Sequence, residues 1–310
     1  MAEPSKTTVD WLRFRAQAEP VEALEAMRGL FGTLGPDLRL KPLQHGMLGF
    51  QQGAQIVVED LVLGRMDYGG ASQRGWVRVD LPGGGCEWVT CWGAAGEVES
   101  LPRAQLRRVD VALTTWHGEV THERVCDAHA AGRFVLHRPP KLRRIESSER
   151  YDGRTCEIGR REKSDKFMRC YEKGWQLLRD LPPAMRSKVS SVMGFPPADI
   201  YRCEVEFKAV TMDIPWDITE RPDHYFAGAY PFCADLLPEV EPDVFARRPE
   251  RVAARELSIA LENCKAQFGS VLFTALTAYG GDIGAVMEKI VGSSHSQRLL
   301  EAGVLLVDHE

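Results

Sequence analysis

The sequence predicts an α+β fold: a central antiparallel sheet with one polar face carrying the candidate catalytic groups, helices packed on the sheet, and a helical C-terminal region. Two observations predict it. Runs that alternate apolar and polar residues recur at VDWLRFR (9–15), RRVDVALT (107–114) and YRCEVEFKAV (201–210), with turn signals between them. After Pro249 the spacing becomes helical, with Val252 and Ile259 seven apart and Leu257 and Leu261 four apart. No internal repeat is present, so the economical division is an α+β domain over 1–235 and a helical region over 236–310.

In chain order, the strand at 9–15 is followed by a helix over about 19–31, where Val21, Leu24, Met27, Leu30 and Phe31 share a face before Gly32. Ile56–Leu63 and Trp76–Leu81 read as strands, and Gly83-Gly84-Gly85 reads as a turn because neither GK[ST] nor GxGxxG completes a phosphate loop. A helix over 120–131 is closed by Gly132. The charged, proline-bearing segment 137–153 reads as a loop or extended arm. Two short β runs, 154–159 and 166–173, read as a hairpin with a basic tip, followed by a helix from Trp175 and the strand from Tyr201. The aromatic segment HYFAGAYPF (224–232) suits packing at a junction better than base stacking.

With 44% hydrophobic residues and 27% charged ones, the 310-residue chain has globular composition, which excludes disordered and low-complexity classes. Eight scattered Cys without a CxxC pair read as reduced thiols of a cytoplasmic protein. The N-terminus lacks a signal-peptide pattern, and no run reaches the roughly 18 apolar residues of a membrane span, so no membrane partner is expected. His122, Cys126 and His129 have helix-compatible spacing, but no fourth zinc ligand is evident, so they read as structural helix residues.

Separating the faces of three strands isolates a distinctive set. Asp110, Glu204 and Glu206 supply carboxylates, Arg169, Lys173 and Arg202 supply cations, and Tyr171 supplies a phenol. An ordinary solvated sheet face would alternate in the same way; the inventory favours chemistry. Carboxylates suit a hard cation such as Mg²⁺ or Mn²⁺, cations suit phosphate, and a phenol can be a nucleophile, which together fit phosphodiester transesterification. Tyr171 would need positive surroundings to supply phenolate near neutral pH. Tyr201 falls on an apolar face and Tyr151 in the charged arm, so Tyr151 is the rival nucleophile.

At these same residues the sequence resembles the replication initiation factor family, the rolling-circle initiators of certain plasmids and filamentous phages, with related relaxases of integrative elements. The matching pieces run in order: VDWLRF (9–14), LPGGGCEWV (81–89), RVDVAL (108–113), GEVTHERVCDAHAAGRF (118–134), GRTCEIGRREKSDKFMRCYEKG (153–174) and YRCEVEFK (201–208). The resemblance implies a metal-dependent enzyme that nicks and rejoins one DNA strand at an origin, keeping a 5′-phosphotyrosine and leaving a 3′-hydroxyl primer. It implies Tyr171 as nucleophile, Lys173 as its neighbouring cation, and Asp110 and Glu204 as acidic site residues, with Mg²⁺ or Mn²⁺ as cofactor. Thr114 stands where family members often carry a second acid, which brings Glu206 into consideration. The implied partners are double- and single-stranded origin DNA, a host helicase and a host polymerase, in the cytoplasm of a bacterial host. A mobile-element relaxase and a non-catalytic origin-binding or regulatory protein are the alternatives. The tail is left between origin recognition and self-association into a homo-oligomer.

The net charge of −5 conceals an uneven distribution. Residues 133–173 hold 13 Lys and Arg against 7 Asp and Glu, a local +6. Lys141, Arg143, Arg144, Arg160, Arg161, Lys163 and Lys166 are therefore the expected DNA contacts.

Overall fold

The computed structural model describes residues 5–136, 138–149, 151–162, 164–186, 188–245 and 249–307. The chain divides into two compact units, one comprising Met1–Ala209 and Asp213–Phe245, the other Val210–Met212 and Ala246–Glu310. Among the described residues of the first unit, ten strands form one sheet. They are β1 (Thr7–Gln17), β2 (Arg39–Leu43), β3 (Gln52–Val58), β4 (Leu61–Tyr68), β5 (Trp76–Leu81), β6 (Gln105–Thr115), β7 (Leu142–Ile145), β8 (Thr155–Ile158), β9 (Lys166–Tyr171) and β10 (Tyr201–Lys208). Their spatial order is β2-β3-β4-β5-β1-β6-β10-β9-β8-β7, and every pairing is antiparallel. The α+β class and the antiparallel sheet agree with the sequence expectation.

Alternation decides which face each strand buries. Val109 and Val111 of β6, Cys203, Val205 and Phe207 of β10, and Met168 and Cys170 of β9 are all buried, and the register places them beside one another. Each fully buried aliphatic or aromatic side chain of this kind contributes about 1.5–3 kcal/mol. Among the described residues, the helices of this unit are α1 (Pro20–Met27), α2 (Gly83–Cys86), α3 (Ala95–Glu99), α4 (His122–Ala130), α5 (Lys173–Asp180), α6 (Pro183–Arg186), α7 (Pro222–Ala227) and α8 (Pro231–Leu236). The helix α4 packs on β8 and β9; Thr121 caps it by accepting from the Arg124 amide at 3.1 Å, and Gly132, with φ +75°, ends it.

Several expectations need correction. Residues 56–63 are not one strand; they straddle the turn between β3 and β4, where Glu59 takes φ +51°. The turn expected at Gly83-Gly84-Gly85 is a single helical turn, Gly83–Cys86, and Gly85 allows close approach, since a Cβ there would meet the Leu63 carbonyl oxygen at 1.8 Å. The 137–153 arm contributes β7, an edge strand paired with β8. The aromatic segment 224–232 forms two short helices, Pro222–Ala227 and Pro231–Leu236, with Tyr225, Phe226, Tyr230 and Phe232 buried. Burial withdraws these rings from base stacking.

β9 ends at Tyr171, so Lys173 is not on the strand; it opens α5 (Lys173–Asp180). The turn is set by Gly174, whose amide donates to the Ile200 carbonyl at 3.1 Å and whose Cα lies so near residue 197 that a Cβ would meet the Pro197 carbonyl oxygen at 2.1 Å. Gly174→Ala is therefore expected to destabilise the first unit by about 1–3 kcal/mol, because backbone must shift. Urea unfolding checks this; a change below about 0.5 kcal/mol would contradict it.

In the second unit α9 (Pro249–Ala278), α10 (Ile283–Ile290) and α11 (Gln297–Glu301) follow one another. Asp282 caps α10 by accepting from the Ala285 amide at 3.0 Å. Among the described residues no helix is long and apolar enough to cross a membrane.

Candidate active site

Register places the predicted polar residues in neighbouring cross-strand rows. Tyr171 of β9 lies opposite Arg202 of β10, which lies opposite Thr114 of β6. In the next row Arg143, Glu157, Arg169 and Glu204 face one another across β7, β8, β9 and β10, with charges alternating in sign. In the row after that, Glu206 lies opposite Asp110, which lies opposite Trp11 of β1.

Each carboxylate is buried and tied to arginine. Asp110 is only 1% exposed; its Oδ1 accepts from Arg108 Nε at 2.7 Å and its Oδ2 from Arg108 Nη2 at 2.5 Å. The same Arg108 Nη2 reaches Glu206 at 2.9 Å, and Arg161 and Lys208 also pair with Glu206, at 3.0 Å and 2.9 Å. Arg169 Nη2 donates to both oxygens of Glu204, at 3.1 Å and 2.9 Å, while its buried Nε has no acceptor among the described residues.

These partners give the acids different characters. Burial pushes the Asp110 carboxyl up to about 7; Arg108 opposes the rise, while Glu204 and Glu206 add to it. Burial acts on Glu206 in the same sense, yet Arg108, Lys208 and Arg161 outweigh it and hold that carboxyl below its ordinary range. Glu206 is thus a saturated ion-pair hub, whereas the surroundings of Asp110 remain short of positive charge. Oxygen donors around such a charge deficit fit a hard divalent cation in chemistry.

The condition for phenolate at Tyr171 is not met. Burial is the largest influence and pushes it up to about 12; Arg202 and Arg169 pull it down, and Glu204 and Asp10 push it up. The guanidinium of Arg169 lies 5.0 Å from the centre of the Tyr171 ring and Lys173 Nζ lies 5.9 Å from it. The cations are present, but they do not overcome desolvation. The phenol is protonated at neutral pH and needs a proton acceptor.

Asp10 was missed by sequence reasoning. Strict alternation puts it with Leu12 and Phe14 on the buried face, but β1 carries a register irregularity between Val9 and Trp11 that re-aims it. Its Oδ1 accepts from Arg202 Nη1 at 2.9 Å, while Arg202 Nε donates to Thr114 Oγ1 at 2.9 Å. Burial raises the Asp10 carboxyl, Arg202 lowers it and Glu204 raises it. Asp10 and Arg202 also line a cavity of about 570 Å³ with Thr8, Glu87 and Trp92. A lone acid on an otherwise apolar parity was the available signal.

The sequence profile of the replication initiation factor family matches residues 104–248. This region, a little under half of the chain, is similar to that family. It contains β6, β9 and β10, and therefore Asp110, Tyr171, Glu204 and both site arginines. No curated protein sequence matches the chain significantly. Among solved structures, a rolling-circle replication initiator protein from Geobacillus stearothermophilus is similar in fold, with a TM-score of 0.52 and 19% identity over 76% of this chain and 84% of that one.

The basic residues of the matched region divide into two groups. Lys141, Arg143, Arg144 and Arg160 are exposed along the β7–β8 edge and the hairpin that follows it. Arg161, though partly exposed, is bound to Glu206 and lies 5.6 Å from the Phe167 ring centre. Lys166 Nζ donates to the Ala229 carbonyl at 2.9 Å and lies 5.4 Å from the Tyr230 ring centre. Lys163 lies outside the described residues.

Proposed function

We propose that the protein is a rolling-circle replication initiator that nicks and rejoins one strand of a phage or plasmid origin through Tyr171. The observation that carries this reading is the cross-strand placement of Tyr171 opposite Arg202 and beside the Arg169–Glu204 pair, inside the family-matched region. Tyr171 Oη attacks the scissile phosphorus, the bond from phosphorus to O3′ breaks, and the strand is left with a 5′-phosphotyrosine and a 3′-hydroxyl. Asp10 and Glu204 are the carboxylates whose charges act on the phenol, and Asp10, which holds no metal in this reading, takes its proton. Arg169, Arg202 and Lys173 offset the charge that grows on the phosphate, and Arg169 Nε is a donor available for one of its oxygens.

Asp110 and Glu204 are the residues that would hold Mg²⁺ or Mn²⁺, which would supply Lewis-acid polarisation of the phosphate. Glu206 is assigned to Arg108, Arg161 and Lys208 instead. Asp10, joined to Thr114 through Arg202, provides from β1 the second acid that position 114 lacks. The 3′-hydroxyl then primes a host polymerase, with a host helicase opening the duplex, in the bacterial cytoplasm.

The test incubates the protein with supercoiled and single-stranded origin DNA and Mg²⁺ or Mn²⁺, then separates products under denaturing conditions. A nick with a protein–DNA adduct is expected. Neither product on a verified origin would overturn the enzymatic reading and leave an origin-binding or regulatory role.

DNA is expected along the exposed β7–β8 edge. Neutralising Lys141, Arg143, Arg144 and Arg160 together should weaken origin binding and make the salt slope shallower by about 3–4, near 0.9 for each phosphate left without its cation. Fluorescence anisotropy across a salt series measures this, and an unchanged slope would move the footprint elsewhere.

A further inference from the structure

Three soft-ligand side chains converge on the sheet face opposite the active site. His122 and Cys126 are one helical turn apart on α4, and Cys156 projects from β8 toward them. Their ligand atoms all lie within 4.8 Å of one another. Cys126 Sγ is 3.6 Å from Cys156 Sγ, and Cys156 Sγ is 3.8 Å from His122 Nδ1 and 3.7 Å from His122 Nε2.

These separations have a chemical meaning. Zinc–sulfur bonds of about 2.3 Å and zinc–nitrogen bonds of about 2.0–2.1 Å at tetrahedral angles place two sulfurs ~3.8 Å apart and sulfur and nitrogen ~3.6 Å apart. Both Cys156 edges of the triangle are close to those values before any ion is added. His122 and Cys156 are buried and Cys126 is half-buried, so the site is largely shielded. Burial pushes the Cys156 thiol up to about 12 and the neighbouring Cys126 adds to the rise, while Arg144, paired with Cys156 across the β7–β8 ladder, and Arg154 oppose it. His129, on the same helix, is committed elsewhere: its Nε2 is 2.9 Å from the Pro140 carbonyl oxygen.

We propose that His122, Cys126 and Cys156 form a zinc site that fastens α4 to β8 beneath the basic edge of the sheet. Zn²⁺ binds the His122 imidazole and both sulfurs, the two thiol protons pass to solvent, and water completes the fourth position. Thiolate and imidazole select a borderline-soft ion over Mg²⁺ or Mn²⁺, so this site is chemically separate from the carboxylates on the polar face. β8 pairs with β7, and α4 is tied to the chain before β7 through His129, so the ion would hold the segment bearing Lys141, Arg143 and Arg144 in place.

The full-length protein, metal-stripped and kept reduced, is titrated with Co²⁺ and then with Zn²⁺. One Co²⁺ per chain should bind with a sulfur-to-metal charge-transfer band in the near ultraviolet and tetrahedral visible bands, and Zn²⁺ should displace them. Cys126→Ser and His122→Gln should each lower affinity at least tenfold and weaken or shift the bands, whereas Cys264→Ser, at an exposed position, should leave them intact. Zn²⁺ at a hundredfold excess over its dissociation constant should raise the thermal midpoint of the wild type by roughly 5 °C or more, and of the two variants by much less. Circular dichroism checks their folding; if one variant is unfolded, the other decides. Absence of a charge-transfer band, a band unchanged in Cys126→Ser or one lost in Cys264→Ser would overturn the assignment. So would a Cys126–Cys156 disulfide in the reduced, metal-supplemented protein.

Discussion

Tyr171→Phe is expected to abolish the covalent protein–DNA adduct and lower origin nicking by roughly a thousandfold or more, because no other group can replace a lost nucleophile at comparable rate. Origin affinity should change little, since the phosphate-contacting cations remain, and stability should stay within about 1 kcal/mol. The pH profile adds a second reading. With the phenol held up to about 12, little phenolate exists at neutral pH, so proton transfer to a carboxylate accompanies attack. The nicking rate of the wild type should therefore be flat above about pH 8, far below the pH at which the phenol itself ionises. A rate still rising tenfold per pH unit beyond that point would show that free phenolate is the reacting species. An adduct that survives Tyr171→Phe would move the nucleophile to another tyrosine, with Tyr151 the first to test.

The strands that build the site were legible because each has a buried side. Val109 and Val111, Met168 and Cys170, and Cys203, Val205 and Phe207 fix the parity of β6, β9 and β10, and parity alone places Asp110, Arg169, Tyr171, Arg202, Glu204 and Glu206 on the other face. Where chain geometry departs from period two, the sequence was silent. Asp10 was hidden by a register irregularity, the position of Lys173 off the strand by the strand-to-helix transition before Gly174, and the β3–β4 turn by an apolar run that continues through it. Three-dimensional convergence was equally invisible: Cys156 is 30 residues from Cys126, and only the packing of α4 on β8 joins them. The net electrostatic effect at Tyr171 was also beyond the sequence. The cations around Tyr171 were read correctly, but burial, which spacing does not report, outweighs them.

Arg108 carries the largest expected stability effect, and pH makes the mechanism testable. Its side chain is 12% exposed, it pairs with Asp110 and Glu206 together, and its guanidinium lies 4.3 Å from the Trp11 ring centre. Arg108→Met keeps much of the apolar volume but leaves the buried Asp110 without its ion-pair partner, while Glu206 retains Arg161 and Lys208. Breaking a buried pair from one side costs about 3–5 kcal/mol, chiefly through the stranded charge. Asp110 already has its folded-state carboxyl raised from 3.8 to about 7, so the folded form binds the proton more tightly than the unfolded form. The contribution of this group to stability therefore grows as pH falls from above 7 toward 4 and is lost as pH rises. Removing Arg108 raises that carboxyl further. The variant should be destabilised by the full amount at pH 8 and by clearly less at pH 5, where Asp110 is neutral in both proteins. Adding Asp110→Asn to Arg108→Met should recover much of the loss at pH 8 and little at pH 5. Urea unfolding at the two pH values decides it: a pH-independent loss would mean that the packing against Trp11, and not the charge on Asp110, is what Arg108 contributes.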